Sequence, residues 1–423
     1  MNWIVTWLLI GLACWMLLSA ARRTGRIYEF PFLAAAITFA FILPQLPGLA
    51  NDPFLPDGAY ERAVVFTILC VAMCWLGWMP DRPVMKAFRW QLDERRLLIA
   101  SAGLSLIGAY FYYQLGRIPI EQAVATQFTG WYVVLFFFSK LLPYGLCVAL
   151  LCLLRRPSYA AIGITLFDAV FYLDRIFVTG KRGETTELVL MVALAVWFQR
   201  RRAIPYVLLL AGILAGTVMM SSTEDYRDLS RAKDRPETVQ VTQLSPWQRF
   251  EKLLETGGPE MRNAIFRINA VEQSMVFDYG LFHWNILVFN YVPAQIVGRS
   301  IKDALLIQID GQYARDYDPP NGTTETGMSD AFASLWFFGA IKFFIIAFVL
   351  SRLYGAAMAG HAVPQLLYML LIVPGMHSIS HHTQWLLTEW IQVMLLLLPA
   401  LCFARIPQRA GAPMPALATE TPS

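Results

Sequence analysis

The chain of 423 residues is predicted to be an all-α polytopic membrane protein, and three observations lead there. Hydrophobic residues make up 57% of it and charged residues 15%, against about 25% charged in a soluble globular domain. The apolar residues fall in blocks near the ~20 needed to cross a hydrocarbon core. The basic residues fall unequally between the loops that join those blocks. A soluble enzyme, a disordered chain and a coiled coil are excluded. An outer-membrane barrel alternates apolar and polar residues along strands of about 10, and runs such as 188–198 do not alternate.

Eleven candidate spans follow in order: 2–21, 30–50, 61–79, 97–115, 130–153, 158–178, 184–199, 203–221, 331–352, 363–379 and 385–404. The first has no positive residues before it and Arg22, Arg23 and Arg26 after it. That is the reverse of a signal peptide, so it reads as a retained helix with its N-terminus outside. Eleven crossings place the C-terminus in the cytoplasm. The short inner loops then hold sixteen Lys and Arg and the short outer loops four: Arg62, Arg117, Lys181 and Arg182. Positive charge is retained on the cytoplasmic side, so the asymmetry favours this orientation. The expected organisation is a bundle of eight helices over 1–221, a large periplasmic loop over 222–330 with interfacial or re-entrant helices, three helices over 331–404, and a disordered cytoplasmic tail over 405–423. All six cysteines lie in or beside apolar runs, so no disulfide framework is expected.

The loop has its own pattern. Residues 246–255 read as a helix with Trp247, Phe250, Leu253 and Leu254 on one stripe, suited to the membrane surface or to capping the bundle. Gly257, Gly258 and Pro259 end it, and 259–277 is a second helical pattern. The apolar run 284–296 is too short to cross comfortably and suits a re-entrant or interfacial element. Residues 316–327 form a turn-rich stretch, after which Ser329 or Asp330 is placed to cap the next helix.

Ionisable groups within spans are costly and mark functional or paired positions. Here they are Lys140, Asp168, Asp174, Arg175, Lys342 and Glu389. Asp168 and Arg175, seven apart, share a helix face. Lys140 and Lys342 each need an interhelical salt bridge or a water-filled cavity. The densest constellation runs from Asp174 to Glu184. Gly180 and Gly183 permit a tight turn, Thr185 and Thr186 open a helix whose free N–H groups favour an anion, and Arg175, Lys181 and Arg182 add positive charge. Arginine offers a planar fork to phosphate oxygens, so this turn is a candidate diphosphate site, with Arg299 and Lys302 as a second basic set. His377, His381 and His382 cluster between the last two spans and suit a polar contact with a phosphate or sugar more than a metal site. His283 stands alone. No nucleotide-binding Gly-rich loop or Gly-x-Ser-x-Gly elbow is present.

Three stretches resemble the bacterial O-antigen and oligosaccharide repeat-unit polymerase family. They are Phe177-Val178-Thr179-Gly180-Lys181-Arg182-Gly183, the apolar-Pro-basic segment Tyr291 to Lys302, and Thr324 to Gly339. The general layout, with many spans and one large late loop, is also similar. One departure is that the Arg-x10-Gly spacing of some members occurs only at Arg201 and Gly212, on the cytoplasmic side. The resemblance implies glycosyl transfer at the periplasmic face of the bacterial inner membrane, without metal or cofactor. The donor would be a glycan on undecaprenyl diphosphate, and the acceptor a hydroxyl of a second lipid-linked repeat. Arg175 and Arg182 are the expected catalytic cations, and Glu325 and Asp330 the expected acceptor bases. Lys181, Arg182, Arg299 and Lys302 are expected to bind diphosphate. Expected partners are the lipid-linked glycan, membrane lipid and a chain-length regulator protein, with no nucleic acid. Two alternatives remain: an O-antigen ligase that transfers glycan to a lipid A-core acceptor, and a transporter of polysaccharide or lipid precursors.

Overall fold

The computed structural model describes residues 2–21, 25–80, 89–118, 131–177, 182–205, 208, 211–212, 246–292, 294–309, 311–320 and 323–407. Sixteen helical elements account for most of them. In chain order they are α1 Asn2–Ala21, α2 Phe30–Ala50, α3 Ala59–Leu76, α4 Glu94–Gly116, α5 Trp131–Arg155, α6 Tyr159–Phe177, α7 Arg182–Arg200, α8 Pro246–Thr256, α9 Pro259–Ser274, α10 Leu281–Tyr291, α11 Ala294–Val297, α12 Arg299–Leu305, α13 Gly327–Leu335, α14 Ile341–Met358, α15 Ala362–Ser380 and α16 Gln384–Ala404. Among the described residues the only β pairing is an isolated bridge between Leu92 and Arg405.

Eight helical stretches among the described residues are long and apolar enough to cross a membrane. Helices α6 and α7 have 19 residues each, but charged residues lower their hydropathy: Asp168, Asp174 and Arg175 in one, Arg182, Glu184 and Glu187 in the other. Most of the expected span 203–221, and much of the expected tail, lie outside the described residues. Apolar side chains point outward along the helices, as a lipid environment requires. In α6, Leu166 and Val170 are more than 60% exposed while Asp168 is fully buried.

Proline sets the irregularities. A proline lacks the N–H for the i−4 carbonyl, and its ring crowds that carbonyl. Accordingly α2 widens to a π-turn over Thr38–Ile42 before Pro44, and α16 does the same over Val393–Leu397 before Pro399. In α5 the chain breaks at Lys140, three residues before Pro143.

The run from 327 to 358 departs from the sequence expectation. The expected span 331–352 is two elements. Helix α13 stops at Trp336, which adopts φ 52° and ψ −140°, and a short 3-10 turn leads into α14. A Cβ at Gly339 would lie 1.8 Å from the Ala331 carbonyl oxygen, so only glycine lets the chain fold back on α13. The 18 residues of α14 span about 27 Å, enough to cross. The expected helix cap also changes. Thr326 occupies the N-cap, and Ser329 and Asp330 lie inside the first turn of α13.

Helix ends sort into two sets. At one end, Asn2 bonds the Ala50 carbonyl, Thr6 pairs with Tyr60, and Asp330 meets Thr383. At the other, Arg155 reaches Gly360 and Gln365, Arg201 reaches Met358, and Ile406 bonds Gln91. Each pairing joins ends that alternating crossings put on the same side. Helices α8 to α12 belong with the first set. The Met261 N–H bonds the Gln45 side chain, Arg262 pairs with Asp52 at 2.7 Å, and Arg62 pairs with Glu272 at 3.7 Å. The 11 residues of α10 cover about 16 Å, too little to cross. Gln312 bonds the Val276 carbonyl, so the chain between them leaves and returns at one place.

Candidate functional site

The first set of ends holds a continuous group of buried polar side chains, organised around the α15–α16 turn at His381, His382 and Thr383. Gly327, where α13 begins, packs directly on this turn. A Cβ there would lie 1.8 Å from the Ser378 carbonyl oxygen.

On one side of the turn is Asp330, with no exposed surface. It accepts hydrogen bonds from the Thr383 N–H at 2.6 Å and the Thr383 hydroxyl at 2.8 Å. Lys342 lies 3.4 Å away and His382 3.7 Å, and His283 bonds the Thr383 hydroxyl at 2.8 Å. Asp330 thus fastens α13, α14 and the α15–α16 turn together. Lys342 gains its counter-charge here and also donates to Ser334 at 2.8 Å.

Beside this cluster Arg267 of α9 pairs with Glu325 at 2.7 Å, with side chains 2% and 9% exposed. Ser329 donates to the same Glu325 oxygen at 2.8 Å. The guanidinium lies over the rings of Tyr313, 4.9 Å away, and Phe282, 5.5 Å away. Burial opposes the Arg267 charge, but Glu325 and Tyr313 outweigh it and raise the pKa above the usual arginine value. The pair lies on the wall of a cavity of about 660 Å³, which is also lined by Asn263, Phe266, Tyr313, Arg315, Asp316, Tyr317, Asp318 and Pro319.

On the other side of the turn, His377 and His381 form an edge-to-face pair at 5.2 Å, flanked by Trp385 and Phe41. A Cβ at Gly183 would lie 3.7 Å from His377 Nε2. The N-terminus of α7, where Arg182 stands, therefore abuts the histidine cluster. Nearby, Lys140 pairs with Glu389 at 3.9 Å, and Tyr144 donates to Glu389 at 2.7 Å. Salt bridges between helices thus account for both lysines within spans.

The expected site residues are distributed as follows. Glu325 lines the cavity; Asp330 does not, being enclosed by its partners. Lys181 lies outside the described residues, and for Arg175 and Arg182 only the helical backbone is described. Lys302 donates to the Phe289 carbonyl at 2.9 Å and sits over that ring. Neither it nor Arg299 lines the cavity. Asp168 accepts from Ser105 at 2.7 Å, and Asp174 from Tyr112 at 2.8 Å.

Sequence reasoning missed Arg267. An arginine in an amphipathic loop helix reads as a solvated position. The available signal was its i,i+4 spacing from Asn263, which puts two polar side chains on one face. Both are buried. No protein-family model, curated protein or solved structure matches the chain.

Proposed function

We propose that the protein polymerises lipid-diphosphate-linked oligosaccharide repeat units by glycosyl transfer, at the end of the bundle where α8 to α12 pack. The observation that carries this reading is the junction of α7 with α15. The start of α7 and the histidine cluster, far apart in sequence, meet at Gly183 and His377. Free N–H groups at the start of a long helix favour an anion. Arg175, Lys181 and Arg182 are the proposed cations, and His377 of the histidine cluster borders the start of α7. Arg299 and Lys302, on α12, serve the outer approach of a diphosphate-bearing lipid.

The chemistry needs little else. The acceptor hydroxyl oxygen bonds to the donor anomeric carbon. The bond from that carbon to the diphosphate oxygen breaks, and its electron pair leaves with the diphosphate. Fixed cations aimed at that growing charge lower the barrier. The hydroxyl proton passes to a carboxylate. Of the two expected bases, Glu325 is the one a hydroxyl in the cavity reaches, while Asp330 acts as the brace that holds the site together. In this reading the helices cross the bacterial inner membrane eleven times, with the N-terminus and the loop 222–330 periplasmic and the C-terminus cytoplasmic. A chain-length regulator is the expected protein partner.

Arg182→Ala tests the assignment. Losing one charge-assisted contact to the leaving group costs on the order of 2–4 kcal/mol in the barrier, roughly 10²–10³-fold in rate. A deletion strain complemented with this variant should show single-repeat glycan and no ladder on a surface-polysaccharide gel, at normal protein level. Arg182→Lys should recover part of the ladder, because lysine lacks the fork. Arg96→Ala, at the opposite end, should be nearly silent. A normal ladder from Arg182→Ala removes the turn from the site. The histidine cluster also suits the related ligase chemistry. Loss of glycan attachment to the lipid A-core with polymer length unchanged would favour that alternative.

A further inference from the structure

We propose that the cavity walled by Tyr313, Tyr317 and Phe266 binds an uncharged pyranose ring of the glycan, rather than its diphosphate. For the source of that sugar the proposal rests on the polymerase reading; for its chemistry it rests on the cavity. Three features decide the class of ligand.

The first is charge. Glu325, Asp316 and Asp318 line the cavity with Arg267 and Arg315. Arg267 is neutralised by Glu325 at 2.7 Å, which leaves one arginine against two aspartates. A diphosphate or a uronic acid would meet net negative charge there. The second is the wall. Phe266 and Tyr317 stack with centroids 4.0 Å apart and planes 10° from parallel, and Tyr313 stands over the guanidinium. Phe266 and Tyr317 cover each other's facing sides, so the half-exposed Tyr313 ring is the flat apolar surface that matches the C–H face of a sugar ring. The third is unfilled hydrogen bonding. The Arg267 Nε–H is buried and has no acceptor, although the residue lines the cavity. A buried donor without a partner is costly, and a ligand hydroxyl oxygen supplies the acceptor. Burial also raises the Tyr313 and Tyr317 pKa values, so both phenols keep their protons at neutral pH. The volume, about 660 Å³, lies within the range of about 300–1,000 Å³ typical of small-molecule sites.

The test is binding of the purified full-length protein, in nanodiscs, to immobilised oligosaccharides of three classes: uncharged, amino-bearing and uronic-acid-bearing. Uncharged oligosaccharides should bind, and uronic acids should not. Tyr313→Ala, at a half-exposed ring whose loss leaves the Arg267–Glu325 pair in place, should weaken binding about tenfold or more while lowering the melting temperature far less than Arg267→Met. Geranyl diphosphate without sugar should bind equally to wild type and Tyr313→Ala. No binding of uncharged sugars above the empty-nanodisc signal, or equal binding by Tyr313→Ala, overturns the assignment. Sugar binding lost in Tyr313→Ala alongside a normal ladder in the deletion strain carrying no copy of the protein would keep the cavity assignment and discard the polymerase reading.

Discussion

Arg267 and Glu325 show how one pair couples stability to the site. Removing one partner of a buried ion pair strands the other charge and costs about 3–5 kcal/mol. Arg267→Met should therefore lower the melting temperature of the detergent-solubilised protein sharply, as should Glu325→Met. The double variant should recover much of the loss, because two apolar side chains leave no charge stranded. If the proposed chemistry is right, the recovered double variant should still make no polymer. A double variant as unstable as the singles would show that the pair is held for packing that methionine cannot supply. Glu325 and Asp330 were legible in the sequence, as acids at the start of an apolar run. Their different roles were not, because Asp330 is enclosed by Lys342, Thr383 and His382, which come from later helices. Hydropathy carries no information on such pairings.

The helices themselves were largely legible, because apolar runs of span length have few other solutions. Helices α1, α4, α6 and α15 match their expected bounds within a few residues. The reversal between α13 and α14 was hidden, because Trp336, Phe337, Phe338 and Gly339 are as apolar as the helix that follows. The turn depends on the close approach of Gly339 to Ala331, not on a polar loop. Gly339→Ala should accordingly be severely destabilising, because the obstacle is backbone that cannot yield. Gly163→Ala in α6, with nothing within 4 Å of the new methyl, should be neutral or stabilise by about 0.5–1 kcal/mol. Expression of a fluorescent fusion followed by size-exclusion profiles separates the two. Equal, well-folded profiles would show that the reversal at Trp336 does not need glycine.

At the scale of the whole molecule, the pairing of helix ends supports alternating crossings, and the return of the chain from α10 to Gln312 supports a loop that stays on one side. Single cysteines at Ser274 and Arg315, in a cysteine-free background, should label from the same side of intact cells. Labelling from opposite sides would mean that the segment between them crosses. Which side faces out rests on the charge asymmetry of the loops, read from sequence, and the same labelling reports it.

The central claim, that this chain alone joins lipid-linked repeats, is tested most directly by reconstitution. Purified protein in liposomes would receive the undecaprenyl-diphosphate-linked repeat unit, with chelator present and no nucleotide sugar. The account predicts a ladder of lipid-linked oligomers, with one undecaprenyl diphosphate released for each bond formed, and no ladder from Arg182→Ala. Intact single repeats after incubation with folded wild-type protein would contradict it.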